Sequence, residues 1–130
     1  MSYPTPDLMS QAIKFRKLMD QPIGTLSPKV TETQLRLIRE EWVEVADAYI
    51  NARDHVYSQH TSEQLLKELA DLVFVCFQFA ATTGWELGEA MDRVYESNIS
   101  KLVDGKPLKR EDGKVLKGPN YHPPYLADLV

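Results

Sequence analysis

The sequence predicts an all-α protein, a four-helix bundle-type protomer with an irregular C-terminal tail. Apolar residues recur at helical spacing in successive stretches, stop and start signals separate those stretches, and one stretch is apolar almost all round. The first helix runs roughly from Asp7 to Met19, with Leu8, Ala12, Phe15 and Leu18 or Met19 on one face. Pro22 and Gly24 end it, and a loop holding Ser27 and Pro28 follows. Thr31 with Gln34 three residues on is a capping-box pattern, which opens a long second helix reaching to about His55. Its core stripe is Leu35, Ile38, Trp42, Val45 and Tyr49, so Trp42 is read as a packing residue. Thr61 with Gln64 repeats the pattern and opens a third helix that ends before Gly84; a fourth runs from near Glu86 to about Lys101.

The helical core therefore spans about residues 7–103 of a single domain, 1–130, and the tail spans about 104–130. The tail repeats Asp-Gly-Lys at 104–106 and 112–114. Asp-Gly is a favoured pair for tight turns, so a small β-hairpin is expected around Asp112 and Gly113. Between 104 and 120 the net charge is +2, against −5 for the first 103 residues, which suits either a solvated loop or a functional lid.

A chain of 130 residues with 15 Lys and Arg against 19 Asp and Glu has room for one domain and no strongly basic face. Its net charge of −4 argues against a nucleic-acid partner, because phosphate neutralisation needs basic surface. Cys76 is the single cysteine, so no intrachain disulfide or zinc set is expected and a reducing cytoplasm is the expected setting. No basic-then-apolar leader pattern opens the sequence.

From Leu65 to Ala81 the only charged or amide residues are Lys67, Glu68, Asp71 and Gln78. A helix that apolar must be covered on nearly all sides, and a second subunit is expected to complete the cover. A membrane span is not expected, since Glu68 and Asp71 interrupt the run and it falls short of ~20 apolar residues.

The chemistry concentrates in two acidic motifs, Glu40-Glu41-x-x-Glu44 on the second helix and Glu68-x-x-Asp71 on the third. Carboxylates three apart share a helix face. At ~100° per residue, Glu41 falls on the flank of the apolar arc and Glu40 toward solvent, while Glu68 and Asp71 flank Val75 on the buried helix. Two like charges ~4 Å apart repel by ~4 kcal/mol at an effective dielectric of ~20. The acids must then spread apart, become protonated, pair with one of the few nearby bases (Arg36, Arg39, Arg53, Lys67), or bind a cation. A carboxylate cluster without His or Cys suits a hard ion such as Mg²⁺. A di-iron centre is not expected, because no His follows a motif Glu by three residues; His55, His60 and His122 lie near helix ends or in loops.

These motifs, with 23 residues between Glu44 and Glu68, resemble the signature of the all-α nucleoside triphosphate pyrophosphatases, most closely the MazG-like nucleotide pyrophosphohydrolases of bacteria and phages. Phe15 to Ile23, Ser97-Asn98-Ile99-Ser100-Lys101-Leu102 and Glu111 to Pro124 extend the resemblance over about residues 10–125. The resemblance implies Glu41, Glu44, Glu68 and Asp71 as magnesium ligands, with Mn²⁺ able to substitute. Glu40 and Glu41 would be catalytic, Glu40 orienting or deprotonating the attacking water or holding a further ion. Asn98 and Lys101 match positions that contact the nucleotide, and Lys114 and Lys117 match the tail.

The implied reaction is magnesium-dependent hydrolysis of a (deoxy)nucleoside triphosphate to the monophosphate and pyrophosphate, with (d)GTP the leading substrate. The implied assembly is a dimer or dimer of dimers in the cytoplasm of a bacterial cell or phage-infected host, with no membrane or nucleic-acid partner. A phosphoribosyl-ATP pyrophosphatase and a non-catalytic metal-binding helical dimer are the alternatives.

Overall fold

The computed structural model describes residues 3–130, which form two compact units, residues 1–85 and 86–130 with the first two residues left aside. Four α-helices are present among the described residues, as expected. Three of them, α1 (Leu8–Leu18), α2 (Pro28–Asp54) and α3 (Gln59–Thr83), build the first unit; α4 (Leu87–Ile99) belongs to the second. Bundle packing is seen among α1, α2 and α3.

Both long helices start earlier than the capping-box spacing predicts. The Ser27 side chain accepts from the Val30 amide and Pro28 takes the first helical position, so α2 opens a full turn before Thr31. Proline is pre-shaped for that position, where its missing N–H has no intrahelical partner to lose. Thr31 sits inside the helix, its hydroxyl donating back to the Ser27 and Pro28 carbonyls. In the same way Ser58 caps α3 by accepting from the Thr61 amide, and Thr61 is buried in the first turn.

α2 and α3 form an αα-hairpin whose turn puts Val56 and Tyr57 in the left-handed region, at φ +52° and +51°. That conformation is unfavourable for a β-branched residue. The Tyr57 amide is tied to the Ala52 carbonyl at 2.7 Å, which holds the turn. The core is made largely of small side chains: Ala12, Ala52, Ala80 and Ala81 are buried with Met9, Val45 and Phe77. Phe15 meets Phe74 edge to face at 5.1 Å.

The buried face of α1 is rotated one position from the expected stripe. Met9, Ala12 and Arg16 are inside, whereas Leu18 and Met19 are exposed. Arg16 is tolerated there because its guanidinium donates to the Pro22 carbonyl at 2.6 Å and to Gln78 Oε1 at 3.1 Å. Gln78 in turn reaches the Ala12 carbonyl. Burial lowers the Arg16 pKa from its ordinary value.

The loop between α1 and α2 finishes the end of α3. A helix leaves its last carbonyls without intrahelical donors, and here the Gly24 and Thr25 amides donate to the Ala81 and Thr82 carbonyls. Gly84 closes the helix at φ +84°, and an added Cβ would stand 3.2 Å from the Gly24 Cα. The expected stripe on α2 is only partly covered: Val45 is buried and Ile38 half-buried, but Leu35, Trp42 and Tyr49 are exposed in the single chain. Trp42, read as a packing residue, is 60% exposed. No helix of the described residues is long and apolar enough to cross a membrane.

In the second unit the tail folds along α4. The expected hairpin is present as β1 (Leu108–Lys109) antiparallel to β2 (Val115–Leu116), with Leu108 opposite Leu116. The other Asp-Gly pair makes the tighter turn: Asp104 and Gly105 both have positive φ, and Val103 bridges Lys106 across them. Beyond β2, Arg93 of α4 donates to the Tyr125 carbonyl and pairs with Asp128, whose carboxyl is held below its usual range. The Glu86 amide donates to the Leu129 carbonyl in the closing 3-10 turn, Ala127–Leu129.

Ser27 caps α2 and Thr31 does not, so their removal should differ in consequence. Ser27→Ala should lower stability by about 1 kcal/mol, and Thr31→Ala by distinctly less. Urea denaturation of both variants checks this, and the reverse ranking would put the α2 cap back at Thr31.

Candidate metal centre

The hairpin brings the two acidic motifs face to face. Glu41 and Glu44, one turn apart on α2, meet Glu68 and Asp71, one turn apart on α3, and each residue offers a carboxylate oxygen within 4.8 Å of the others. Glu41, Glu68 and Asp71 are half-buried and Glu44 is exposed, so the cluster sits at the margin of the packed interface and opens to solvent on one side. Glu41 lies on the flank of the apolar arc and Glu40 points to solvent, as helical spacing predicts. Glu40 is not part of the cluster of four.

Such a cluster is electrostatically costly by itself. Glu41 shows the cost directly. Its carboxyl pKa is raised, first by desolvation, then by its contact with Glu44 and by the charges of Glu44, Asp71 and Glu68. Glu41 Oε2 and Glu68 Oε2 are buried with no hydrogen-bond partner. A buried carboxylate oxygen without a donor is rare, because desolvation goes uncompensated.

Of the four bases expected nearby, only Lys67 pairs with the cluster among the described residues. Its ammonium lies 2.7 Å from Asp71 Oδ2 and 3.5 Å from Glu68 Oε1. Asp71 and then Glu68 hold its pKa above the ordinary value. Arg53 turns to Asp54 and Arg36 to Thr33. The Lys67 side chain is 62% exposed, so its pairing is screened and leaves the two buried oxygens unmet.

The donor set fits a hard divalent ion. Oxygens on opposite sides of a magnesium ion stand ~4.2 Å apart, twice a bond of ~2.1 Å. The four carboxylates offer oxygens no more than 4.8 Å apart, so a small inward shift would bring them to that spread, and they are all hard oxygen donors. Glu41, Glu44, Glu68 and Asp71 are the residues that would hold it.

The remaining expected site residues belong to the second unit. Asn98 is exposed on the last turn of α4, and Lys101 follows its C-cap, Ser100. Lys114 is exposed just before β2, its amide donating to Asp112. Lys117 follows β2, with its ammonium 4.7 Å from the centre of the Tyr121 ring.

Lys67 is one of the four bases expected near the acids, and its place four residues before Asp71 and beside Glu68 is what sets it apart from the other three. The burial of Arg16 was not anticipated in the sequence. Arg16 could have been placed inside, because it follows Met9 and Ala12 at helical spacing.

A helical hairpin that gathers four carboxylates within 4.8 Å of one another defines a class of helical proteins whose paired acidic motifs could hold a metal ion. The family model described as the MazG nucleotide pyrophosphohydrolase domain matches residues 29–108, well over half of the chain. The protein belongs to that family, which implies a pyrophosphohydrolase, a hydrolase acting on phosphoric anhydrides. The match takes in α2, α3 and α4 with all four clustered acids, Asn98 and Lys101; it leaves out α1, Lys114 and Lys117. No curated protein matches the chain.

Relieving the repulsion should stabilise the metal-free protein. Glu41→Gln is expected to melt roughly 3 °C above the wild type without metal, and to lose the rise in Tm that millimolar Mg²⁺ gives the wild type. Calorimetry with and without Mg²⁺ measures both. A variant that melts lower and keeps its Mg²⁺ response would count against the cluster.

Proposed function

We propose that this protein hydrolyses a (deoxy)nucleoside triphosphate to the monophosphate and pyrophosphate in a magnesium-dependent reaction, with (d)GTP as its leading substrate and Mn²⁺ able to replace Mg²⁺. The observation that carries the reading is the convergence of Glu41, Glu44, Glu68 and Asp71, with two buried oxygens lacking a donor. Family membership supplies the reaction class; the choice of guanine rests on the resemblance of the motifs to those of phage-type enzymes.

In this reading a bound divalent ion draws charge from the triphosphate oxygens and acidifies water. The chain's own residues do the rest. Glu41, Glu44, Glu68 and Asp71 form the anionic cradle that fixes the ion, and their placement on two packed helices keeps them from moving apart. Glu40, free of the cluster and exposed, is available to orient the attacking water and accept its proton. Asn98 and Lys101 hold sugar and phosphate, and Lys114 and Lys117 add positive charge. One water is consumed as the anhydride between the α and β phosphorus breaks. Because phosphoryl transfer needs little covalent participation from the protein, positioning and charge compensation supply the acceleration.

Glu41→Gln and Asp71→Asn should fold normally and lose at least ~100-fold in pyrophosphate release. A kcat/KM panel over the eight common ribo- and deoxyribonucleoside triphosphates tests the substrate, with the guanine nucleotides expected to lead. Wild-type activity in either variant would remove that residue from the site, and a wild type inert toward all eight would overturn the enzymatic reading.

The proposal extends to self-association, as a dimer or dimer of dimers. Leu66, Leu69, Val73 and Phe74 of α3 are exposed in the single chain. Trp42, Tyr49, Ile50, Leu65 and Leu69 line an apolar hollow of about 500 Å³. A second, of about 450 Å³, lies between α1 and α3 against Leu8, Val73 and Phe74. Apolar faces on both sides of one helix suit a second copy of the chain better than solvent. Light scattering at micromolar concentration should give a multiple of the 14.9 kDa chain mass; a monomer would contradict this part of the proposal.

A further inference from the structure

We propose that Ser97 and Ser100 are positioning residues: they clamp the backbone of His122 to the end of α4 and thereby set Lys117 beside Lys101 as a paired binding element for an oligophosphate anion. This rests on the reading above for what the two lysines contact, and goes beyond it in naming what holds them.

The serines stand three apart and so face the same way from α4. Ser97 is 3% exposed, and its hydroxyl donates to the His122 carbonyl at 2.7 Å. The Ser100 hydroxyl donates to the Ser97 carbonyl at 2.6 Å and accepts from the His122 amide at 3.1 Å. A serine hydroxyl has one proton to give and two lone pairs to receive with, and these contacts use them on both polar groups of a single tail residue. Gripping both the N–H and the C=O of His122 fixes the register of the chain against the helix, which one contact would not.

A second anchor lies four residues upstream. The Gly118 amide donates to the Lys101 carbonyl at 3.1 Å. The approach is so close that a Cβ on Gly118 would stand 2.6 Å from that oxygen and 2.7 Å from Val103 Cγ2. Between the anchors the Tyr121 amide closes a turn onto the Gly118 carbonyl, and the Tyr121 ring lies 4.7 Å beneath the Lys117 ammonium. Lys117 is therefore one residue from a bond to the backbone of Lys101, with its side chain parked on an aromatic face.

The charges in this unit are unevenly used. Arg93 and Arg110 are tied to carboxylates, whereas none of the unit's lysines, Lys101, Lys106, Lys109, Lys114 and Lys117, takes part in an ion pair among the described residues; of these, Lys101 and Lys117 are the ones joined through the Gly118–Lys101 bond. Lys101 and Lys117 thus carry two unpaired positive charges on stretches of backbone joined by the Gly118–Lys101 bond, and an anion carrying several phosphate charges would neutralise both. The clamp keeps the pair together before the anion arrives.

The test uses the full-length protein and inorganic tripolyphosphate without divalent ions. Affinity comes from calorimetry, and amide hydrogen exchange reports on Gly118 and His122. The variant Ser97→Ala/Ser100→Ala should lose protection at both amides and weaken tripolyphosphate binding about tenfold. Lys117→Ala should weaken it similarly, and adding Lys117→Ala to the double variant should cost little more, since the clamp acts through that lysine. Ser97→Thr, which keeps the hydroxyl, should retain most of the affinity and serves if the double variant does not fold. Undiminished binding after the amides lose protection would overturn the proposal, as would full protection without the hydroxyls, additive losses, or a wild type that ignores tripolyphosphate. Failure of the catalytic reading is distinguishable: the wild type would then release no pyrophosphate from any nucleotide while the coupling between serines and Lys117 is still measured.

Discussion

Mutual repulsion among four carboxylates is the constraint that shapes the first unit. A pair of charges ~4 Å apart costs ~4 kcal/mol at an effective dielectric of ~20, a large share of the ~5–15 kcal/mol by which a domain is stable. Exposure of Glu44 softens this, but the raised pKa of Glu41 shows that it is not removed. The acids stay together because the helices bearing them are held by other means. Ala52, Ala80 and Ala81 allow close approach of the helices, and serine caps start both long helices. The α1–α2 loop occupies the carbonyls at the end of α3. None of these contacts involves the acids, so the scaffold holds them together against a repulsion that lowers its stability without dismantling it.

The second unit is held differently. Few of its residues are buried, and polar contacts carry the tail along α4: the two serines on His122, Gly118 on Lys101, and Arg93 on Tyr125 and Asp128. Hydrogen bonds of this kind fix position more than they add stability, because folding exchanges them against bonds to water.

Much of this was legible in the sequence because helical periodicity is a local property. Four helices, the ends at Gly84 and near His55, the inward lean of Glu41 and the outward lean of Glu40 all follow from spacing. The helix starts were misplaced because Thr31 and Thr61 carry the capping-box Gln three residues on, whereas Ser27 and Ser58 lack it and cap through their hydroxyls alone; Pro28 directly after Ser27 was the sequence signal that favoured the earlier start of α2. The exposure of Leu35, Trp42 and Tyr49 was beyond reach for a different reason. A helical wheel shows which side is apolar, and says nothing of which chain covers it. The hydrogen bonds of Arg16 and Gln78, and those of Ser97 and Ser100, link residues far apart in sequence and leave no periodic trace. The convergence of the acids was legible only in part: spacing put each pair on one face, and the hairpin register brought the pairs together.

Lys67 gives the cluster one counter-charge of its own, and that sets what an incoming ion would have to improve on. Its ammonium already offers Asp71 and Glu68 one positive charge on a flexible, solvent-facing stem. A singly charged ion that displaced it would exchange like for like and gain almost nothing, however abundant that ion is around the protein. A doubly charged ion brings a net increase, and the displaced ammonium returns to water at little cost.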